Sequence, residues 1–170
     1  MNATKQARVM QLEQTFAQIG STRMQGVPVL NTLLRVQAVG FETVTDGDAQ
    51  MLEGILITPW FMNLLRLPLA PAAAASVPEP GSKRSHLCGA QLFEFIAAHE
   101  EVLGSFEACS LFSPMFEFAD QAGAVSTAVE ILKMLRTPPP AEPKPGKPEK
   151  PAMPDRRGFL FGRSGTGARP

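Results

Sequence analysis

Eight of the eighteen residues from Thr137 to Pro154 are proline, and no other feature limits the fold so sharply. Proline fixes its own φ and lacks an amide donor, so a run this dense, interleaved with Lys and Glu, favours extended polyproline II and cannot enter a core. The stretch divides the chain into a globular domain over 1–136, a Pro-rich spacer over 137–154, and a basic and aromatic terminal motif with its tail over 155–170. The domain has the length of one core. With 44% hydrophobic and 19% charged residues, the chain is too apolar to be disordered throughout.

The 16 basic and 16 acidic residues cancel overall but not locally. Residues 1–136 carry 9 basic and 13 acidic side chains, net −4, and residues 137–170 carry 7 and 3, net +4. A nucleic-acid partner needs a basic surface to displace counterions, and the domain offers none. The basic tail reads as a solvated segment, with contact to an acidic partner or anionic lipid as the alternative. Gln11, Glu13 and Gln14 interrupt the apolar run that a signal peptide needs after Lys5 and Arg8, so the chain is expected to stay in the cytoplasm. The most apolar region, Gly54 to Val77, contains Asn63 and Arg66. It falls short of the roughly 18 uninterrupted apolar residues of a spanning helix, so no membrane span is expected. Cys88 and Cys109 stand 21 positions apart with no CxxC pair, which fits buried thiols in a reducing compartment and excludes a disulfide framework.

Hydrophobic spacing predicts an N-terminal helix capped by Thr4, packed through Val9, Leu12, Phe16 and Ile19 and stopped at Gly20, with Lys5, Arg8 and Gln11 on the wet face. Leu33 to Thr45 and Met51 to Thr58 read as two strands joined through the turn residues Thr45-Asp46-Gly47-Asp48, and Pro59 ends the second. Residues 68–85, rich in Pro and Ala, read as an internal loop. Ala90 to Leu103 fits both periods: Leu92, Phe95, His99 and Leu103 make a helix face, while Phe93, Phe95 and Ala97 alternate as in a strand, and local propensity leans helical. Ser105 to Phe112 forms another segment. A helix then runs from Gln121 to Leu135 on a stripe of Val125, Val129 and Leu132.

Residues that could carry chemistry do not assemble into an enzyme. His86, Cys88, His99 and Cys109 lack the ligand-pair spacing of structural zinc sites. Cys109 has no basic neighbourhood to activate it, and it reads as a buried core residue. No Gly-rich phosphate loop or GxSxG elbow occurs, and Glu100-Glu101 reads as a solvated turn. No catalytic residue, metal or cofactor is therefore assigned. Trp60 follows Pro59 and precedes Phe61 and Met62, a cluster that either packs inward or makes an adaptable contact surface. Arg156-Arg157-Gly158-Phe159-Leu160 has the RRxFL arrangement of a twin-arginine export signal, but no apolar region follows it, so it cannot act as one. The island ending in Phe161-Gly162-Arg163 has two readings, docking on its own domain and docking on a partner.

These segments, in this order, resemble the HybE family of NiFe-hydrogenase assembly chaperones, also called the HupJ or HoxT group. The resemblance rests on an N-terminal helix with Phe16; on Ile57-Thr58-Pro59-Trp60 continuing into Phe61-Met62-Asn63-Leu64; on Cys109-Ser110-Leu111-Phe112-Ser113-Pro114; and on Arg156 through Arg163. It implies a single-domain α+β fold, an antiparallel sheet packed with N-terminal and C-terminal helices, and it turns Ala90 to Leu103 into a strand. It also implies a chaperone that binds precursors of the large or small hydrogenase subunit, with the twin-arginine signal peptide among its possible targets. A chaperone of this kind needs an apolar surface that recognises an exposed segment, and the partner-binding residues expected to border it are Trp60, Phe61, Met62, Phe159, Leu160 and Phe161, with Arg156, Arg157 and Arg163 supplying charge around it. Some relatives carry a fused rubredoxin domain with paired CxxC motifs. This chain has no such pair, so iron binding is not implied. Two rival readings remain: a redox or iron–sulfur protective factor for the small subunit acting through Cys88 and Cys109, and a generic protein-binding module.

Overall fold

Neighbouring residues of the central strands are buried on opposite faces, and this dictates a sheet covered on both sides. Ile55 and Ile57 belong to one core and Leu56 to another, as do Leu64 and Leu65. The computed structural model describes residues 3–138; the spacer and terminal motif lie outside the described residues. The elements are α1 (Ala3–Ser21), β1 (Gln37–Asp46), β2 (Ala49–Ile57), β3 (Met62–Pro68), a 3-10 helix (Pro71–Ser76), β4 (Lys83–Cys88), β5 (Gln91–Glu100), β6 (Gly104–Phe112) and α2 (Gln121–Arg136). They build one six-stranded antiparallel sheet in the order β1-β2-β3-β6-β5-β4, two three-stranded meanders joined where β3 pairs with β6.

The α1 face holds Leu12 and Phe16 against Phe41, Leu52, Leu56, Leu65, Leu67, Leu103 and Phe106. On the other face α2 sets Ala124, Ala128 and Leu132 against Val39, Ile55, Ile57, Leu64 and Phe95. Val39 and Phe41 share parity yet reach opposite cores, because the β1–β2 register shifts between Val39 and Glu42. Gly40 sits in that bulge at φ +61°, a conformation open to glycine at no steric cost.

The sheet is strongly curled. Arg84 on β4 reaches Asp46 on β1 at 3.5 Å, although these are the two edge strands. In a flat sheet with strands about 4.8 Å apart the edges would lie about 24 Å from each other, more than the two side chains can span. Met51 of β2 likewise shares a small core with Ala97 of β5 and Val77. The face carrying α2 is therefore concave. Helix α2 fills one end of it and charged side chains fill the other.

Several expectations need correction. Arg8 is not on the wet face; it is buried on the same stripe as Leu12 and Phe16. Its guanidinium donates to the carbonyl of Pro68 at 3.1 Å and to that of Leu103, pairing acceptors at the ends of neighbouring elements. The α2 stripe runs through Ala124, Ala128 and Leu132, and Val129 is exposed, since alanines let the helix approach the sheet closely. The first strand begins at Gln37 rather than Leu33, because a turn closed from Leu34 N–H to the Asn31 carbonyl comes first. The loop at 68–85 contains the 3-10 helix and gives way to β4 at Lys83. Cys109 is only half-buried, at the margin of the α2-side core. The ambiguous segment is strand β5, as the family resemblance implies.

Candidate binding site

The turn between β2 and β3 is organised by Thr58. Its fully buried hydroxyl accepts the amide N–H groups of Trp60, at 3.2 Å, and Phe61, at 2.9 Å, while its own amide donates to the Phe61 carbonyl at 2.8 Å. This folds the chain over Pro59 and leaves Trp60 and Phe61 half-buried at the end of the sheet. Trp60 meets Phe61 edge-on at 5.5 Å, Phe61 meets Phe16 at 5.7 Å, and Phe16 meets Phe106 at 6.2 Å. An aromatic chain thus runs from the surface into the α1-side core. A Cβ on Gly20 would lie 3.2 Å from the Trp60 ring, so the end of α1 also supports the indole. Met62, expected beside Trp60 and Phe61 on the binding surface, is fully buried in the α2-side core.

Asn31 ties this turn to two other segments. Its amide N–H donates to the Pro59 carbonyl at 2.8 Å, and its Nδ2 donates to the carbonyls of Met115 and Phe118, both at 2.9 Å. Its Oδ1 accepts the Leu33 N–H at 3.1 Å. Gln121, at the start of α2, adds a second tie by accepting the Arg35 N–H at 2.9 Å and donating to the Arg35 carbonyl at 3.3 Å. Three segments therefore share one end of the domain: 22–36, the Pro59 turn and 113–120. Each places apolar side chains next to an Asn31 bond, and Leu33 is 66% exposed, Phe116 59% and Val29 41%. Segments 57–64 and 109–114, which carry the family resemblance, are paired directly, Met62 with Phe112 and Leu64 with Cys109. Sequence reasoning singled out Trp60 and Phe61, which the structure places at this end, and did not single out Asn31, Leu33 or Phe116. The available signal was the polar pair Asn31-Thr32 inside the otherwise apolar run Val27 to Leu34, together with a Phe outside any periodic pattern.

A second cluster lies in the concave trough. Glu107 is fully buried, and its two oxygens take the Nε and Nη2 of Arg84 at 3.0 and 2.9 Å, with His86 Nε2 3.0 Å away. Arg66 pairs with Asp46 at 3.0 Å and with Glu53 at 3.4 Å. Hydrogen bonding to Glu107, and then the nearby charges of Glu107 and Asp46, raise the Arg84 pKa against the opposing effect of burial. Ligand atoms of Asp46, His86 and Glu107 lie within 4.8 Å of one another. Two guanidinium groups already stand where a cation would sit, so the cluster reads as an ion-pair network that spans the curled sheet. The set considered from sequence, His86, Cys88, His99 and Cys109, does not converge: His99 is exposed beside Ser105, whereas His86 faces Glu107. Burial pushes the Cys88 thiol up to about 11 and raises that of Cys109 as well, the opposite of an activated nucleophile.

Arg156, Arg157, Phe159, Leu160, Phe161 and Arg163 lie outside the described residues. Among the described residues no helix is long and apolar enough to cross a membrane.

The chain matches the family described as NiFe-hydrogenase assembly, chaperone, HybE over residues 7–162. It is 48% identical over 164 residues to the protein HoxT of Cupriavidus necator, an alignment covering 92% of this chain and 89% of that one. It is 36% identical over 149 residues to the hydrogenase expression/formation protein HupJ of Bradyrhizobium diazoefficiens, covering 87% and 83%. The solution structure of HybE from Escherichia coli has the same fold, with a TM-score of 0.58 at 19% identity over 82% of this chain and 85% of that one.

Proposed function

Given that this chain belongs to the HybE family of NiFe-hydrogenase assembly chaperones, we propose that it captures immature NiFe-hydrogenase structural subunits, large or small, in the cytoplasm before twin-arginine export. The observation that carries this reading is the apolar end of the domain, where the two family segments meet and Trp60, Phe61, Leu33 and Phe116 come to the surface on three tied segments. Aromatic and aliphatic side chains held on a rigid support make a binding surface that loses little entropy on contact. The surface needs no nucleotide, because capture and release can follow the availability of an apolar segment on the partner.

Charge narrows the partner. Residues 1–136 carry net −4, and at the apolar end Glu117 and Asp120 of segment 113–120 stand with Arg23 and Arg35 of segment 22–36. A domain of net negative charge with an apolar end suits a segment that is itself apolar and flanked by basic residues. The signal region of a twin-arginine precursor has that chemistry. Arg156, Arg157 and Arg163, with Phe159, Leu160 and Phe161, add a second contact that reaches the partner across the spacer. The redox reading draws no support from thiols whose protons are held this firmly.

The test is an affinity capture from native cytoplasm by the full chain and by a chain ending at residue 154. Recovery of unprocessed hydrogenase subunits, reduced by loss of residues 155–170, is the expected result. Arg156→Ala with Arg157→Ala should weaken recovery and leave the circular dichroism spectrum unchanged. Recovery of no hydrogenase subunit by the full chain would overturn the proposal.

A further inference from the structure

The proposed capture surface is assembled from loop and turn segments, and one residue, Asn31, bridges all of them, through its side chain to 113–120 and through its backbone N–H to the Pro59 turn. Asn31 is 7% exposed, and its polar groups are matched by type. The Nδ2 group faces two carbonyls, the Oδ1 faces an amide N–H, and the backbone N–H faces the Pro59 carbonyl. Those partners adjoin the side chains that form the surface: Pro59 precedes Trp60, Met115 precedes Phe116, and Leu33 is itself bonded. We infer that Asn31 is the positioning residue of the capture surface, holding Leu33, Trp60 and Phe116 in one rigid arrangement that binds the immature subunit. This inference rests on the capture reading above.

The chemistry makes the residue hard to replace. An aspartate has the same shape and keeps the acceptor for Leu33 N–H, but it directs carboxylate oxygen at the Met115 and Phe118 carbonyls, where no proton remains to share. The sheet and both helices do not use these two bonds, so the change should free 113–120 from Asn31, let segment 22–36 shift and so weaken the bond its Asn31 N–H makes to Pro59 beside Trp60, and leave the fold standing.

Trp60 is the chain's one tryptophan, and its fluorescence therefore reports on this end alone. Wild type, Asn31→Asp and the double variant Leu33→Ser/Phe116→Ser would be compared for capture of an unprocessed hydrogenase subunit, acrylamide quenching of Trp60 and far-UV circular dichroism. The expected result is capture about tenfold weaker in both variants. Trp60 should become more accessible to quencher in Asn31→Asp at temperatures well below unfolding, with the circular dichroism spectrum unchanged. A purely structural role would lower the unfolding temperature and leave quenching of the folded protein as it is. Undiminished capture by folded Asn31→Asp, or unchanged Trp60 quenching in it, would overturn the inference. If Asn31→Asp does not fold, the double variant decides, because Leu33 and Phe116 are exposed and carry none of the stabilising ties through their side chains. Undiminished capture by that variant likewise overturns the inference. Failure of the wild type to capture any subunit would instead overturn the capture reading itself.

Discussion

Arg8 looks like a surface cation on a polar helix face, and its position is decided by two backbone carbonyls, those of Pro68 and Leu103. Removing a donor from buried acceptors costs about 1–3 kcal/mol. Arg8→Met, which keeps the apolar stem, should lower stability by about that amount in urea unfolding. Glu107 has greater influence, since it holds Arg84 and His86 together in the trough. Glu107→Gln should destabilise by about 3 kcal/mol, the scale of breaking a buried pair, and adding Arg84→Met should recover part of the loss. Cys88 gives a pH signature. Its thiol keeps its proton to about pH 11 in the folded chain, against an ordinary value of 9.0. The stability it contributes is complete below pH 9 and is lost as the pH rises towards 11, so Cys88→Ala should flatten that part of a stability-against-pH curve. None of these residues was legible as a partner from sequence. Composition shows that a charge exists, but only the folded chain shows which buried acceptor it must satisfy.

Among the elements, those with a strong local signal were legible and those set by tertiary contact were not. The β1–β2 hairpin announces itself through Asp46-Gly47-Asp48, and α2 through its spacing and the proline stop after Thr137. The details of α2 were harder, because valine outranks alanine in hydrophobicity while close packing on the sheet favours the smaller side chain. Strand β5 could not be separated from a helix by periodicity, since Phe95 satisfies both patterns; pairing with β4 and β6 on either side decides it. The bulge in β1 also depends on a neighbour. The Phe41 ring lies over Gly54, where an added Cβ would come within 2.6 Å of it. Gly54→Ala should therefore cost about 1–3 kcal/mol in thermal or urea unfolding, the usual penalty of overpacking a core.

Over the whole domain, two meanders joined at β3 and β6 curl until their outer strands exchange an ion pair, with one helix inside the curl and one outside. The polar trough follows from that curvature and is invisible in the chain, where Asp46 and Arg84 are separated by two strands and a loop. The apolar end is equally invisible there, because segments 57–64 and 109–114 become neighbours only once β3 pairs with β6. Sequence alone identified the family, and it singled out the Trp60-Phe61 pair that the fold leaves half-buried at the end of the sheet. It could not find Asn31, whose importance lies in bonds to residues up to 87 positions away. The measurement that tests the account most directly is binding of the purified full chain to a purified hydrogenase subunit, before and after its maturation. The account predicts a complex with the unprocessed subunit that is lost with the processed one and weakened by Trp60→Ala. Equal binding to both forms, or binding to neither, would contradict it.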